Sequence, residues 1–135
     1  VLKANMRIVG NCEYGILLYR NKLPKFNGDG KMVFNCIDVN RDTKTPKIHP
    51  TQKSIHLLRQ LIEIFTDPGE VVIDPVAGSG VTLLAAAQLG RKAYGFEIKK
   101  EFVDKFYEKI AGNYQETIYQ QTKQNRDYLK QEVLV

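Results

Sequence analysis

Two carboxylates, Asp74 and Glu97, each lie at the end of an apolar run, and the stretch between them contains the glycines Gly78 and Gly80. Glycine allows backbone angles and close approaches that a Cβ would block. A strand, a glycine turn and the start of a helix together form a binding site for the anionic end of a small molecule. These residue types and their spacing therefore predict a binding site for a small molecule with an anionic end.

The candidate ligands differ in what they require of this turn. A dinucleotide requires a third glycine where Leu83 stands, and the carboxylate of Asp74 would repel a pyrophosphate. A P-loop is excluded because no Gly-Lys-Ser/Thr follows the turn. S-adenosylmethionine fits better, since Asp74 can pair with its cationic groups and Glu97 can accept hydrogen bonds from both ribose hydroxyls.

The same residues have simpler interpretations. Asp74 alone could be a helix cap or turn residue, and Glu97 alone a surface charge at a strand end. Their combination with backbone N–H groups around Gly78–Gly80, which suit the carboxylate of the ligand, favours the cofactor.

The elements around the turn predict a βαβ unit. Val71–Ile73 is a β-branched run typical of a strand buried on both faces, and residues 81–89 form a helix that stops at Gly90. Residues 91–98 form a second, parallel strand. A further helix follows, and its apolar face is predicted from Phe102, Val103, Phe106, Tyr107 and Ile110.

Upstream, the apolar spacing predicts a helix over residues 54–66, capped by Thr51 or Ser54. Residues 6–20 predict two strands around a Gly-Asn turn, and residues 21–46 a long loop with one short strand at Met32–Phe34. The tail from residue 113 is predicted to be helical.

The composition fits one domain of 135 residues, without a membrane span and with Cys12 and Cys36 as reduced thiols of a cytosolic protein. Residues 1–60 carry eleven Lys and Arg against four Asp and Glu, whereas residues 61–98 carry two against five. The basic first part suits either a polyanion partner or simple solvation. The first residue, Val1, predicts a fragment.

Two segments resemble a known family. Residues 74–82 read Asp-Pro-Val-Ala-Gly-Ser-Gly-Val-Thr, and residues 49–53 before them read His-Pro-Thr-Gln-Lys. In this order they resemble the DNA amino-methyltransferases that methylate N6 of adenine or N4 of cytosine, in particular the β class. Residues 12–19, followed by Lys22-Leu23-Pro24, are similar to the segment after that family's catalytic region.

The resemblance implies an α/β chain with a partial Rossmann-like, S-adenosylmethionine-dependent methyltransferase fold in one domain. It implies target recognition of double-stranded DNA by residues 21–48 and a cofactor region over 49–112, in a cytoplasmic protein of bacterial, archaeal or phage origin. The C-terminal helix over 113–135 is predicted from the thinner apolar stripe of the tail. The predicted cofactor residues are His49, Thr51, Lys53, Asp74, Pro75, Val76, Ala77, Gly78, Ser79, Gly80, Thr82 and Glu97. The predicted DNA contacts are Lys22, Lys25, Lys31, Arg41 and Lys44, and no residue is assigned as catalytic or as a metal ligand.

The chain departs from the family pattern. Val76 replaces the usual Phe, Ser54 a Pro and Val81 a Thr. The larger departure is that none of the five prolines is adjacent to another, whereas the family's catalytic segment is Pro-Pro-aromatic after a polar residue. We therefore expect this chain alone to be inactive, with an unpaired sheet edge that favours dimerisation or docking to a missing amino-terminal half. The alternative is a non-catalytic remnant or split module that binds S-adenosylmethionine, DNA or a partner chain.

Overall fold

The computed structural model describes residues 12–23 and 25–112. Helices and strands alternate along the described chain, which is the α/β order that the sequence predicts. The elements are α1 (Ile55–Phe65), β1 (Val71–Asp74), α2 (Val81–Gln88), β2 (Lys92–Gly95), α3 (Lys100–Phe106) and a π-helical turn (Tyr107–Ala111). The predicted tail helix and the first strand of the predicted hairpin lie outside the described residues.

The two strands pair in parallel, as predicted, with Val72 opposite Ala93 and Asp74 opposite Gly95. Two further hydrogen bonds extend the pairing past the strand ends. The N–H of Phe96 donates to the carbonyl of Asp74 at 3.0 Å, and the N–H of Ala77 donates to the carbonyl of Phe96 at 2.9 Å. The turn after β1 is therefore fixed to the end of β2.

Helix α2 forms the centre of the core. It packs on both strands and on α1. Leu83 and Val81 are fully buried, and the small side chains of Ala85 and Ala86 let the neighbouring elements approach closely. Burial of a side chain such as Leu83 stabilises the fold by about 1.5–3 kcal/mol.

The prediction that β1 is buried on both faces is wrong. Val72 packs against the core, but Val71 is 50% exposed and Ile73 62% exposed. The physical reason is that α2 covers the face with Val72 and Ala93, and the described residues place no element over the opposite face. An apolar sheet face is left open.

The strand predictions before α1 are also wrong where they can be checked. Residues 12–19 and Met32–Phe34 have no strand structure, and the apolar side chains of Tyr14, Ile16 and Leu18 are almost entirely exposed. A strand requires a neighbour that completes its hydrogen-bond ladder, and the described residues supply none for either segment.

The N-terminus of α1 is held differently from the prediction. Ser54 occupies the cap position, but its hydroxyl makes no capping bond and instead donates to the carbonyl of Asn40 at 3.1 Å. The N–H of Ile55 donates to Oδ2 of Asp42 at 3.4 Å. Thr51 contacts the ring of His49 instead of the helix. A carboxylate from the preceding loop thus caps α1.

Arg91 connects the C-terminal ends of α1 and α2. Its side chain is buried and donates to the carbonyls of Thr66 and Leu89, each at 2.6 Å. Its Nε also donates to Oγ1 of Thr66 at 3.0 Å. A buried guanidinium is tolerated here because these carbonyl groups, which lack intrahelical partners at helix ends, accept its hydrogen bonds.

The last helix changes its winding at Tyr107. Phe102, Phe106 and Ile110 are buried as predicted, but Tyr107 is 46% exposed, so its assignment to the apolar face is wrong. The π-helical turn from Tyr107 to Ala111 adds a residue to the turn and moves the face, which explains the difference.

Candidate functional site

The turn between β1 and α2 is shaped by two glycines in left-handed conformation. Gly78 has φ +54° and Gly80 has φ +69°. A methyl group built on Gly80 would lie 2.3 Å from Cδ2 of Phe106, so a side chain is excluded there by space as well as by backbone angle. Asp74 closes the start of this turn, because its Oδ1 accepts the N–H of Val76 at 3.1 Å.

Glu97 reaches back from the end of β2 to the same turn. Its Oε2 accepts the N–H of Gly78 at 2.9 Å, and its Oε1 accepts the N–H of Lys99 at 2.8 Å. The Lys99 bond chiefly, with the Gly78 bond and the nearby charge of His49, outweighs desolvation and holds the pKa of the Glu97 carboxyl below its ordinary value. Glu97 is thus kept as an anion beside the turn.

His49 brings the upstream motif to the glycine turn. A Cβ built on Gly78 would lie 3.7 Å from Cδ2 of His49, which is an ordinary van der Waals distance. The His49 ring also contacts Phe102 of α3. The two ring centres lie 4.4 Å apart, and the angle between the ring planes is 60°. The hydroxyl of Thr51 lies 3.1 Å from Nδ1 of His49. His49 therefore fills the space between the turn and α3.

The structure brings together the three separate segments of the predicted cofactor site: the one containing His49, the turn that contains Gly78, and the strand end that carries Glu97. Lys53 is exposed and forms an ion pair with Glu13. The remaining predicted residues belong to the turn: Ser79 and Gly80 are buried, Ala77 and Thr82 half-buried, and Pro75 and Val76 exposed.

The predicted DNA contacts are all exposed but differ in their partners. Lys25 forms an ion pair with Asp67 at 2.7 Å, beyond the end of α1. Lys44 lies in the turn closed by Asp42, whose Oδ1 accepts the N–H groups of Lys44 and Thr45 at 3.0 Å each. Lys22, Lys31 and Arg41 are on exposed loop segments.

Sequence reasoning missed several residues that build the site. Phe106 packs against Gly80 and Phe102 against His49, and both had been assigned only to an apolar helix face. Asp42 and Gln52 organise the loop before α1. Gln52 lies in the quoted motif but was given no role, and the sequence did not single out Asp42 from other polar loop residues. The apolar spacing of α3 indicated that another part of the chain packs on this helix. It did not identify Gly80 and His49 as the residues in contact.

A separate groove of about 610 Å³ lies between the loop at residues 27–37 and α1. Asn27 and Arg91 line it, but none of the predicted cofactor residues does. Because its lining is separate, the groove is distinct from the glycine turn, and it carries no assignment.

Within residues 12–23 and 25–112, no three His, Cys, Asp or Glu side chains are grouped as metal ligands. In the same part of the chain, no helix has the length and apolar character that a bilayer crossing needs.

The family comparison matches this arrangement. The family model for DNA methylases (N6_N4_Mtase) matches residues 18–108, more than half of the chain. The chain belongs to this DNA methylase family. The matched range includes all three segments that meet at the glycine turn. The similarity to DNA methylases therefore extends beyond the two short motifs to most of the residues that the structure describes.

Curated relatives agree. The chain is 36% identical over 75 residues to the type II methyltransferase M.BglII from Bacillus subtilis, a match that covers 56% of this chain and 21% of the relative. It is 48% identical over 54 residues to the putative methylase YubD from Escherichia coli K12, covering 40% of this chain and 24% of the relative. The chain therefore spans about a quarter or less of these relatives.

A solved structure is also similar. The crystal structure of the M1.HpyAVI–SAM complex matches with a TM-score of 0.55 and 31% identity, covering 64% of this chain and 43% of that one. The described fold is thus part of an α/β methyltransferase fold, as the resemblance implied.

Proposed function

We propose that this chain is the S-adenosylmethionine-binding part of a DNA methyltransferase that methylates the exocyclic amine of adenine or, less favoured, of cytosine. The observation that carries the proposal is the meeting of His49, Gly78 and Glu97, which come from three separate segments, at one turn. The similarity to a methyltransferase solved with this cofactor supports it.

The residues at the turn fit the cofactor chemically. Each oxygen of Glu97 accepts one backbone N–H, and a carboxylate has about four acceptor positions, so capacity remains for the two ribose hydroxyls. Asp74 uses one oxygen for the N–H of Val76, and its charge remains available to the cationic end of the ligand. His49 and Phe102 add an aromatic wall beside Gly78.

Two of the backbone donors that sequence reasoning assigned to the ligand are already used. The N–H of Gly78 is bonded to Glu97, and that of Gly80 to the carbonyl of Ala77 at 2.8 Å. We therefore assign the carboxylate of the methionine moiety to the first turn of α2, at Val81 and Thr82, where backbone N–H groups lack intrahelical partners.

The chemistry that the cofactor supplies when bound is an electrophilic methyl group on sulfonium. The protein must hold a flipped base so that its amine nitrogen faces that methyl. The polar-Pro-Pro-aromatic segment that does so in this family is absent from these 135 residues. We accordingly propose that this chain binds the cofactor without methylating DNA by itself. The competing possibility is a remnant that never turns over in any assembly.

For the DNA side, we propose that the loop over residues 21–48 contacts the phosphate backbone of double-stranded DNA. We place the protein in the cytoplasm, with a bacterial, archaeal or phage gene as its origin. Arg41 and Lys44 are the favoured contacts because both are exposed on the loop that leads to His49. Lys22 and Lys31 are further candidates, and Lys25 would have to exchange its partner Asp67 for a phosphate.

The open sheet is the proposed docking surface for the rest of a methyltransferase or for a second copy. Val71, Ile73 and Phe96 are at least half exposed, whereas parallel sheets are ordinarily covered on both faces. A partner that covers this face or pairs with a strand edge would bury apolar area and satisfy free backbone groups.

Calorimetric titration of the chain with S-adenosylmethionine and with NAD tests the pocket. We expect binding heat with S-adenosylmethionine only, and binding of NAD alone would contradict the assignment. A methyl-transfer assay on duplex DNA should give no product, and measurable turnover would refute the inactivity. If addition of a chain with the Pro-Pro-aromatic segment restores turnover, the remnant alternative fails.

A further inference from the structure

The residues just before and within the motif at His49 form a closed loop. Its two ends, at Asn40 and Ser54, are joined by the hydroxyl of Ser54, which donates to the carbonyl of Asn40 at 3.1 Å. Close beside this bond, the N–H of Ile55 donates to Asp42 at 3.4 Å. A compact loop with its ends in contact is an Ω-loop, a form that is frequently functional.

The interior of this loop is also held by side chains. Oε1 of Gln52 accepts the N–H of Ile48 at 3.0 Å, and Nε2 of Gln52 donates to the carbonyl of Pro46 at 2.9 Å. Together with the turn at Asp42, these bonds fix the backbone on both sides of His49. The tip of the loop is the imidazole that rests between Gly78 and Phe102.

The side chain of Asp42 takes part in more of these loop bonds than that of any other residue. It accepts three backbone N–H groups, from Lys44 and Thr45 on one oxygen and from Ile55 on the other. Its carboxylate thus connects the start of the loop to the first residue of α1. The position of His49 relative to the glycine turn depends on both of these anchors.

We propose that Asp42 is a positioning residue for the cofactor site: it closes the loop over residues 40–55 and so holds His49 against Gly78. This inference rests on the proposed cofactor function of the turn. The loop also carries Arg41 and Lys44, so the proposed DNA contacts and the wall of the cofactor site belong to one unit. The replacement of the family Pro by Ser54 gives this loop its second closing bond.

The variants Asp42→Ala and Asp42→Asn test the proposal in the full chain. Asn retains one carbonyl oxygen, which can accept from the turn or from Ile55 but not from both, so its effect should be smaller than that of Ala. Asp38→Asn is the matched charge control, because Asp38 is exposed in the same loop region. Arg91→Lys is the stability control, since it weakens the far ends of α1 and α2 without touching the loop.

The first measurement is the NMR spectrum of the two histidines. The ring protons of His49 should be shifted by the nearby Phe102 ring, whereas those of His56, which is exposed, serve as an internal reference. In Asp42→Ala the His49 signals should move towards the positions of an exposed imidazole while His56 stays. Arg91→Lys should lower the unfolding temperature without shifting the signals of His49 or His56.

The second measurement is the Kd for S-adenosylmethionine, well below the unfolding temperature of each variant. We expect Asp42→Ala to raise Kd by roughly twofold to thirtyfold, the factor that corresponds to loss of one helix-capping interaction if binding bears all of it. Unchanged His49 signals in Asp42→Ala would overturn the proposal. So would an equal rise in Kd for Arg91→Lys, because the effect would then be general destabilisation.

Failure of the cofactor function would be recognised separately. If the unaltered chain shows no binding of S-adenosylmethionine, the proposed function of the turn is wrong. The histidine spectra still decide, in that case, whether Asp42 positions His49.

Discussion

The carboxylate of Glu97 accepts a hydrogen bond from the backbone N–H of Gly78 at 2.9 Å. This bond joins the end of β2 to the turn after β1, beyond the last paired residues of the two strands. Because Glu97 also accepts from Lys99, one side chain defines the relative position of the turn and the start of α3.

Replacing Glu97 by Gln should weaken binding of S-adenosylmethionine. The amide has only one acceptor oxygen, so it cannot hold both backbone N–H groups and the ribose hydroxyls. The loss of charge-assisted bonds should raise Kd roughly tenfold or more, as measured by calorimetry. Glu108→Gln, an exposed position on the π-helical turn, should leave Kd unchanged. Equal effects of the two variants would contradict a ribose-binding role.

The same carboxylate should contribute to acid sensitivity. Its pKa is held below the ordinary 4.5, mainly by the Lys99 N–H, so folding favours its charged form. The contribution of the Glu97 carboxylate to the free energy of unfolding is therefore complete above its unfolded-state pKa. It is lost as the pH falls through its folded-state pKa. In melting curves from about pH 7 to about pH 3, the unaltered chain should lose stability below 4.5 more steeply than Glu97→Gln. Parallel curves would show that Glu97 does not contribute.

Gly80 and Gly90 should respond differently to alanine. Both have positive φ, +69° and +73°, so both substitutions strain the backbone by about 1–2 kcal/mol. Only at Gly80 does the new methyl group meet Phe106, at 2.3 Å, whereas open space surrounds Gly90. Urea unfolding should show the larger loss for Gly80→Ala. The reverse order would mean that Phe106 does not pack as described.

Arg91→Ala should be strongly destabilising although the side chain of Arg91 bonds to Thr66 and Leu89 and not to the glycine turn. It removes the Arg91 donor from the carbonyl of Leu89 and one of two side-chain donors from the carbonyl of Thr66, which also accepts from Nδ2 of Asn27 at 2.9 Å. A buried carbonyl left unsatisfied costs about 1–3 kcal/mol. Lys92→Ala removes a neighbouring cation that is exposed and should change the free energy of unfolding by less than about 0.5 kcal/mol. Chemical denaturation of both variants checks the difference.

The two faces of β1 should tolerate polar substitution unequally. Ile73→Thr, on the open face, should change stability by about 0.5 kcal/mol or less and reduce self-association measured by light scattering. Val72→Thr, on the face covered by α2, should destabilise by about 1 kcal/mol or more because it buries a hydroxyl. Similar unfolding curves for the two variants would argue against an open face.

Much of the cofactor-turn architecture was predictable because its signals are local. The β-branched run, the two glycines and the helix-forming segment at Val81 each specify their own conformation, and the parallel pair follows from their order. The predicted strands in residues 12–19 and 32–34 failed because a strand depends on a distant partner that no local pattern reports.

The candidate site could be predicted only in part from the sequence. Asp74, Gly78 and Glu97 were identified from spacing, and their roles towards the cofactor remain predictions. The bond between Glu97 and Gly78 could not be predicted, since it depends on a side-chain direction. Asp42 was missed because its bond to the start of α1 comes from Ile55, thirteen residues along the chain, and no local pattern reports that donor.

The side chain of Arg91 closes the ends of two helices with one planar group. Fraying of α1 at Thr66 breaks the bonds that also restrain Leu89 at the end of α2, and the reverse is equally true. The two ends therefore cannot open independently. In hydrogen exchange they should behave as a single cooperative unit, although a strand and a complete helix separate them in the chain.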